Sequence, residues 1–142
     1  SGRRENLRPG VLEAMDYIVD KTKDNTKGVF NICLNYGGQQ EIVDATKRIV
    51  NDCISGNLDI NQIDENLMYK YMYNDLPPVD LMIRTSGEER ISNFLNYQIS
   101  YAEMYFPKVY FPDFNKEDFE LAIEAFNKRE RRFGGNKKWK KE

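Results

Sequence analysis

The spacing of apolar residues along the chain predicts amphipathic helices separated by short buried strands. In four segments apolar residues recur every three or four positions, which is the period of one helix face. The first helix begins at Pro9 and ends near Asn25, the second ends at Gly56, the third is weaker, and Asn115 caps the last. Their apolar faces are Val11, Leu12, Met15, Ile18 and Val19; Ile42, Val43, Thr46, Ile49, Val50 and Cys53; Ile60, Ile63, Leu67 and Tyr71; and Phe119, Ala122, Ile123 and Phe126.

Three apolar runs predict strands, at residues 29–34, 79–83 and 104–111. Pro107 interrupts the third run, so this strand is expected to be kinked or to lie near a sheet edge. A further short helix is predicted over residues 92–98, with Ser92 as its N-cap. The alternation of these helices and strands along the chain predicts an α/β fold with a mostly parallel sheet flanked by helices. Since three strands are few for such a sheet, the chain is expected to be the later part of a larger domain whose N-terminal part is absent.

Composition narrows the classes of function. The chain has 142 residues, 40% of them hydrophobic and 31% charged, which is typical of one globular domain. It contains no histidine, and this excludes Ser-His and Cys-His nucleophiles and histidine-ligated zinc or haem. Two isolated cysteines, no signal-peptide pattern and no long apolar run predict a cytoplasmic protein, with membrane association left open.

The charge is distributed unevenly. Residues 128–142 hold eight basic and two acidic residues, a net charge of +6, whereas the remaining 127 residues carry a net charge of −8. A basic end on an acidic body favours binding to a polyanion, to an anionic membrane surface or to the acidic face of a neighbouring subunit. For residues 137–141 a solvated tail is the simpler interpretation, because their spacing carries no recognition geometry. Trp139 could stack on bases, but the acidic body would repel a phosphate backbone. Nucleic-acid binding is therefore not expected.

The segment that follows the second strand is the strongest candidate for chemistry. Arg84, Arg90 and Ser92 lie within nine residues, beside further hydroxyls and a predicted helix start. Guanidinium groups bind phosphate oxygens in bidentate fashion, and helix-start amides add donors, so this set predicts a diphosphate site. The alternative is a surface network in which the arginines pair with Glu88 and Glu89. The residues alone leave both interpretations open.

Glu103 is the second candidate residue. It lies among aromatic residues where the third strand begins. A carboxylate in such surroundings either pairs with an arginine or holds a metal ion, and the arginine pair is the simpler interpretation.

A composite motif connects these segments. Residues 80–88 read Asp-Leu-Met-Ile-Arg-Thr-Ser-Gly-Glu, residues 92–95 Ser-Asn-Phe-Leu, residues 101–103 Tyr-Ala-Glu, residues 112–114 Pro-Asp-Phe, and residues 129–135 Arg-Glu-Arg-Arg-Phe-Gly-Gly. Together with Arg90, Leu-Asn-Tyr-Gly-Gly at 34–38 and the opening Gly-Arg-Arg, this string closely resembles the C-terminal half of the cis-prenyltransferases, above all bacterial undecaprenyl diphosphate synthases. The resemblance covers nearly the whole chain.

The resemblance implies repeated condensation of isopentenyl diphosphate with an allylic diphosphate such as farnesyl diphosphate, assisted by Mg²⁺. It implies that Arg84, Arg90 and Ser92 bind isopentenyl diphosphate and that Glu103 helps to hold the metal. It further implies a homodimer, in which Arg132 and Gly134, with Gly135, reach the neighbouring subunit's site.

The chain also departs from the family pattern. The family's metal-binding aspartate and its Gly-Asn-Gly-Arg phosphate loop are absent, and Gln39 stands where relatives commonly have arginine. The expectation is therefore that residues 1–135 are the C-terminal part of one synthase domain, followed by a basic tail at 136–142. Such a fragment holds no catalytic residue and is expected to be inactive alone. The alternative is a non-catalytic subunit of a prenyltransferase complex, against which the retained set Arg84, Arg90 and Ser92 argues.

Overall fold

The computed structural model describes residues 1–132. They form two compact units, one comprising Ser1–Leu76 with Asn93–Leu95, and the other comprising Pro77–Ser92 with residues 96–132. Gly134 and the predicted basic tail lie outside the described residues. No helix in residues 1–132 has both the length and the apolar character needed to cross a membrane.

The first unit contains three α-helices, α1 (Pro9–Thr22), α2 (Gly38–Ile54) and α3 (Glu65–Tyr71), with a 3₁₀ turn at Ile60–Gln62 before α3. Proline in the first turn opens α1, because its missing N–H would be unpaired there in any case. Gly56, at φ 74°, lies in the left-handed region just beyond α2 and ends it as the sequence predicts.

A small core holds the first unit together. Its buried apolar residues are Ala45, Ile49 and Met72, and α2 packs against α3. Glu41 in the first turn of α2 is also buried, with 2% of its surface exposed. Its carboxylate accepts hydrogen bonds from the Tyr36 hydroxyl and from the main-chain N–H of Tyr73, the latter at 2.8 Å. The core of this unit is therefore partly polar.

The strand predicted at residues 29–34 is not formed. This segment has no regular secondary structure, and Phe30 is 90% exposed. Among the described residues its main chain pairs with the chain start: the Ser1 amino group donates to the Ile32 carbonyl at 2.8 Å, and Leu34 N–H donates to the Ser1 carbonyl at 2.9 Å. Within the described residues the apolar run thus has no neighbouring strand long enough to form a ladder.

The second unit contains a parallel pair of strands, β1 (Leu81–Ile83) and β2 (Glu103–Tyr105), with Leu81 opposite Glu103 and Ile83 opposite Tyr105. Both strands are shorter than predicted. Beyond β2, Pro107 cannot donate a ladder hydrogen bond, and a 3₁₀ turn at Phe111–Asp113 replaces the end of the predicted strand. The predicted α/β class with a parallel sheet is confirmed, although residues 1–132 form two paired strands rather than three.

The last helix, α4 (Lys116–Asn127), follows the sequence prediction closely. Asn115 caps it, and Asp118 completes a reciprocal capping box with the Asn115 main-chain N–H. On its apolar face Ala122 is fully buried, whereas Phe119 is 48% exposed. The helix packs against β2.

The prediction of a helix that begins after Ser92 is wrong. Ser92, Asn93 and Leu95 have φ values of 46°, 63° and 49°, which lie in the left-handed region, and the segment consists of turns. An N-cap residue needs an extended φ, and consecutive left-handed residues cannot continue a right-handed helix.

The Arg3–Asp44 pair in the first unit makes its stability depend on acid pH. Arg3 donates to both Asp44 oxygens, at 2.9 and 2.8 Å, and the Tyr73 hydroxyl donates to the same carboxylate at 2.6 Å. Mainly through Arg3, the pKa of Asp44 falls from its ordinary value of 3.8 to about 2. Because the pKa is lower in the folded state, the contribution is complete above about pH 4 and is lost as the pH falls toward 2. Thermal unfolding followed across this range should show a smaller acid dependence in Asp44→Asn; equal dependence would contradict this origin.

Candidate functional site

The loop that follows β1 is fixed by main-chain hydrogen bonds to the segment that follows β2. Arg84 N–H donates to the Tyr105 carbonyl at 3.0 Å, Ser86 N–H to Val109 at 2.8 Å and Gly87 N–H to Pro107 at 2.9 Å. Ser86 and Gly87 have φ values of 68° and 65°, so the chain turns sharply here. The side chains after the turn are thus presented at the carboxyl end of β1, where open parallel sheets bind ligands.

Arg84 and Ser92 meet in this loop. The Arg84 guanidinium donates to the Ser92 hydroxyl oxygen at 3.1 Å and, through the same nitrogen, to the main-chain carbonyl of Arg90. Arg84 is partly buried and Ser92 is exposed. A guanidinium has five N–H donors, and the Ser92 hydroxyl adds one more, so the pair can bind an anion while Arg84 stays anchored to the loop.

Arg90 takes part in a different way from the one that the sequence predicts. Its carbonyl anchors Arg84, but its guanidinium pairs with Glu88. Both side chains of this ion pair are largely solvent-accessible, with 62% of Arg90 and 43% of Glu88 exposed. An exposed pair contributes little to stability, so an arriving diphosphate could compete with Glu88 for Arg90 at small cost.

Glu103 lies at the other end of the strand pair. Its carboxylate accepts a hydrogen bond from Arg129 at 2.9 Å, which is the arginine pair considered from the sequence. Side chains alternate between the faces of a sheet, so Glu103, in register with Leu81, leaves the face opposite to Arg84. Three strand residues, about 10 Å, separate the two positions. The structure therefore does not bring Glu103 together with Arg84 and Ser92 of the same chain.

The described residues offer few ligands for a metal ion. No group of three or more acidic, histidine or cysteine side chains able to hold a metal occurs within residues 1–132. Mg²⁺ is often held by one or two carboxylates together with substrate phosphates and water, and Glu103 fits such a site as a single ligand. Arg129 already neutralises part of its charge, which weakens its attraction for a cation.

Arg132 is the last described member of the predicted substrate-binding set. It is exposed, and its guanidinium lies 3.9 Å from the Glu130 carboxylate. Gly134, predicted beside it, lies outside the described residues.

In the first unit, the start of α2 carries contacts that the sequence analysis missed. The Asn93 carbonyl accepts from Gly38 N–H at 2.7 Å, and its side-chain oxygen accepts from Gln39 N–H at 2.8 Å. Tyr36, which precedes the N-cap residue Gly37, packs edge-to-face on Tyr73 and Phe94. Burial, together with the hydrogen bond to Glu41, raises the pKa of the Tyr36 hydroxyl well above its ordinary value. The signal for Asn93 was its place directly after Ser92; nothing in the periodicity marked Glu41 as buried.

Comparison with known proteins places these features in one family. Residues 1–134 match the family described as "Putative undecaprenyl diphosphate synthase". The tritrans,polycis-undecaprenyl-diphosphate synthase (geranylgeranyl-diphosphate specific) of Pyrococcus horikoshii is 50% identical, over 94% of this chain and 51% of its own length. The isoprenyl transferase of Fusobacterium nucleatum is 47% identical, over 96% of this chain and 57% of its own length. The chain thus spans about half the length of these relatives.

Solved structures agree with the sequence match. Lavandulyl diphosphate synthase from Lavandula x intermedia, in complex with dimethylallyl diphosphate, superimposes with a TM-score of 0.89 at 31% identity, over 94% of this chain and 58% of that one. A probable undecaprenyl diphosphate synthase from Campylobacter jejuni gives 0.81 at 34% identity, over 94% and 61%. By its motif, its parallel strand pair and these matches, the chain belongs to the undecaprenyl diphosphate synthase family of prenyltransferases.

Proposed function

We propose that this chain forms the isopentenyl-diphosphate side of a cis-prenyltransferase active site. The observation that carries the proposal is the Arg84–Ser92 contact at 3.1 Å, at the carboxyl end of β1. It is supported by relatives that are named as undecaprenyl diphosphate synthases, specific for geranylgeranyl diphosphate in one case and for farnesyl diphosphate in another. The substrates proposed here are isopentenyl diphosphate and an allylic diphosphate such as farnesyl diphosphate.

In this reaction the allylic carbon–oxygen bond breaks and pyrophosphate leaves. The double bond of isopentenyl diphosphate forms the new carbon–carbon bond to the allylic group, and its C2 proton is lost to the departed pyrophosphate as the double bond re-forms between C2 and C3. The proposed task of Arg84, Ser92 and Arg90 is to bind and orient the diphosphate of isopentenyl diphosphate, so that its double bond meets the allylic carbon. Positioning of this kind lowers the barrier because the two reactants no longer have to find each other in solution. No histidine is required for it.

A homodimer is the arrangement we propose for the complete site. Arg84 and Ser92 lie at the carboxyl end of the strand pair, whereas the segment that leads to Arg132 is held at Glu103, at the amino end. One chain thus presents two sets of polar groups on opposite ends of its sheet. A second copy can bring the Arg132 segment of one chain to the Arg84 set of the other, as in a symmetric dimer.

Magnesium is proposed as the cofactor, with Glu103 as one ligand and substrate phosphates among the others. When bound, the ion would neutralise diphosphate charge. Replacing Glu103 with glutamine in the full-length enzyme should raise the Mg²⁺ concentration needed for half-maximal rate while leaving the melting temperature unchanged. An unaltered magnesium titration together with a lowered melting temperature would show that Glu103 serves only the ion pair with Arg129.

The proposed function is tested by incubating radiolabelled isopentenyl diphosphate with farnesyl diphosphate and Mg²⁺. The full-length enzyme should form polyprenyl diphosphates, and the 142 residues alone should form none, because no group for ionising the allylic diphosphate is identified in them. Calorimetry with the 142-residue chain should still detect binding of isopentenyl diphosphate. A full-length protein that forms no product but binds a second, active prenyltransferase chain would support the non-catalytic subunit instead.

A further inference from the structure

Two arginines beyond α4 are each held at the start of a strand. Arg129 donates from one guanidinium nitrogen to the Glu103 carboxylate and to the Met104 carbonyl, both at 2.9 Å. These two acceptors belong to the first residues of β2. The side chain of Glu103 is only 24% exposed, so this pair is shielded from solvent on its acidic side.

Arg131 makes an equivalent contact with the neighbouring strand. Its guanidinium donates to the carboxylate of Asp80, directly before β1, and to the Tyr101 carbonyl at 3.4 Å. It also lies over the Phe126 ring of α4, 5.7 Å from the ring centroid. With 25% of its side chain exposed, Arg131 is the more buried of the two arginines.

The two contacts fix both the position and the direction of the chain that leaves α4. The helix ends at Asn127, so the residues after it have no helical hydrogen bonds to hold them. One anchor would allow the segment to rotate about it, whereas anchors at residues 129 and 131, on two neighbouring strands, do not. Arg132 follows directly, exposed and without a strand or helix of its own.

We propose that Arg129 and Arg131, held by Glu103 and Asp80, are positioning residues that aim Arg132 at a substrate diphosphate. This inference rests on the proposed function, and it gives Glu103 a role as an anion at a fixed place beside Arg129. Neither arginine contacts the diphosphate itself. Their effect is on the binding of isopentenyl diphosphate through Arg132.

The test uses single variants and a charge exchange in the full-length enzyme. Arg129→Gln and Arg131→Gln should each raise the KM for isopentenyl diphosphate at least fivefold, with a smaller change in kcat. The matched control is Lys128→Gln, which breaks an exposed ion pair with Glu124 on the same helix end and should change KM less than twofold. The exchange Asp80→Arg with Arg131→Asp, at the anchor that has no proposed metal role, should recover most of the loss caused by Arg131→Gln.

Hydrogen exchange of the amides at 129–132 is measured on the same variants, because it reports whether this segment is held in place and does not depend on turnover. Hydrogen exchange should be faster in Arg129→Gln and Arg131→Gln, unchanged in Lys128→Gln, and slow again in the double variant with the two charges swapped. An unchanged KM in both arginine variants would overturn the positioning role. Slow hydrogen exchange restored in the Asp80→Arg, Arg131→Asp double variant without a restored KM would also overturn it. If the unaltered enzyme forms no product, the proposed function fails. The positioning role then fails with it, even where slow hydrogen exchange shows that residues 129–132 are held in place.

Discussion

Replacing Arg84 with alanine is expected to raise the KM for isopentenyl diphosphate about ten- to a hundred-fold in the full-length enzyme. Hydrogen bonds to charged groups contribute about 1.5–3 kcal/mol each, and about 1.4 kcal/mol corresponds to a factor of ten in binding. The change also releases the Ser92 hydroxyl and the Arg90 carbonyl, which Arg84 holds. A fall in kcat should accompany the rise in KM if the contact strengthens in the transition state.

The matched control is Arg4→Ala, which removes an exposed arginine that pairs with Asp16 in the other unit. It should leave KM within about twofold, since exposed ion pairs contribute little. Ser92→Ala, which removes one neutral hydroxyl, should have a smaller effect than Arg84→Ala. An unaltered KM in the Arg84→Ala enzyme would contradict the assignment of this loop to isopentenyl diphosphate. Calorimetric binding of isopentenyl diphosphate that is not weakened by Arg84→Ala in the 142-residue chain would contradict it as well.

Local sequence signals predicted α1, α2 and α4 well, whereas α3 begins later than its predicted apolar face and the helix after Ser92 does not form. Asn115 and Asp118 carry a complete capping box, and α4 forms where the pattern places it. Gly56 ends α2 because glycine adopts the left-handed conformation without strain. In these cases the signal and the structure that it produces lie within a few residues of each other.

Strands depend on distant partners, and here the sequence was less informative. Residues 29–34 have the composition of a buried strand, yet they form no regular secondary structure and are mostly exposed. A strand needs a neighbouring strand, which local pattern cannot supply. Serine is a residue type that favours the N-cap position, but Ser92 and the left-handed residues that follow it form a series of turns. These turns allow Ser92 to face Arg84 in place of the amides of a helix.

The candidate site was predicted in part. Arg84 and Ser92 converge as their spacing and the family motif indicated, whereas the Arg90 guanidinium turns to Glu88. Arg84 thus lies beside Ser92, as a diphosphate site would require, while Arg90 pairs with Glu88, as the surface-network interpretation predicts. The separation of Glu103 from Arg84 could not be predicted, because it depends on the register of β1 against β2.

The largest effect on stability is expected from Glu41→Ala. Glu41 is 2% exposed, and its carboxylate is the acceptor for the Tyr36 hydroxyl and the Tyr73 N–H. Alanine would leave both donors, on partly buried tyrosines, without these partners and would remove a buried side chain one helical turn from Ala45. An unsatisfied buried polar group costs about 1–3 kcal/mol, so we expect a loss of about 3 kcal/mol or more in the free energy of unfolding.

Glu41→Gln separates the two contacts. The glutamine carbonyl can still accept from Tyr73 N–H, but the Tyr36 hydroxyl then faces a neutral amide in place of a carboxylate, so the loss should be roughly half that of alanine. Urea unfolding, followed by Tyr fluorescence and circular dichroism, measures both variants, with Glu13→Ala on the exposed surface of α1 as the control. Because Tyr36 directly precedes Gly37 and Gly38, weakening its anchor should also loosen the start of α2, which hydrogen exchange at Gly38 and Gln39 would report. Equal stability of the alanine and unaltered chains would mean that the buried carboxylate costs as much to desolvate as its hydrogen bonds return.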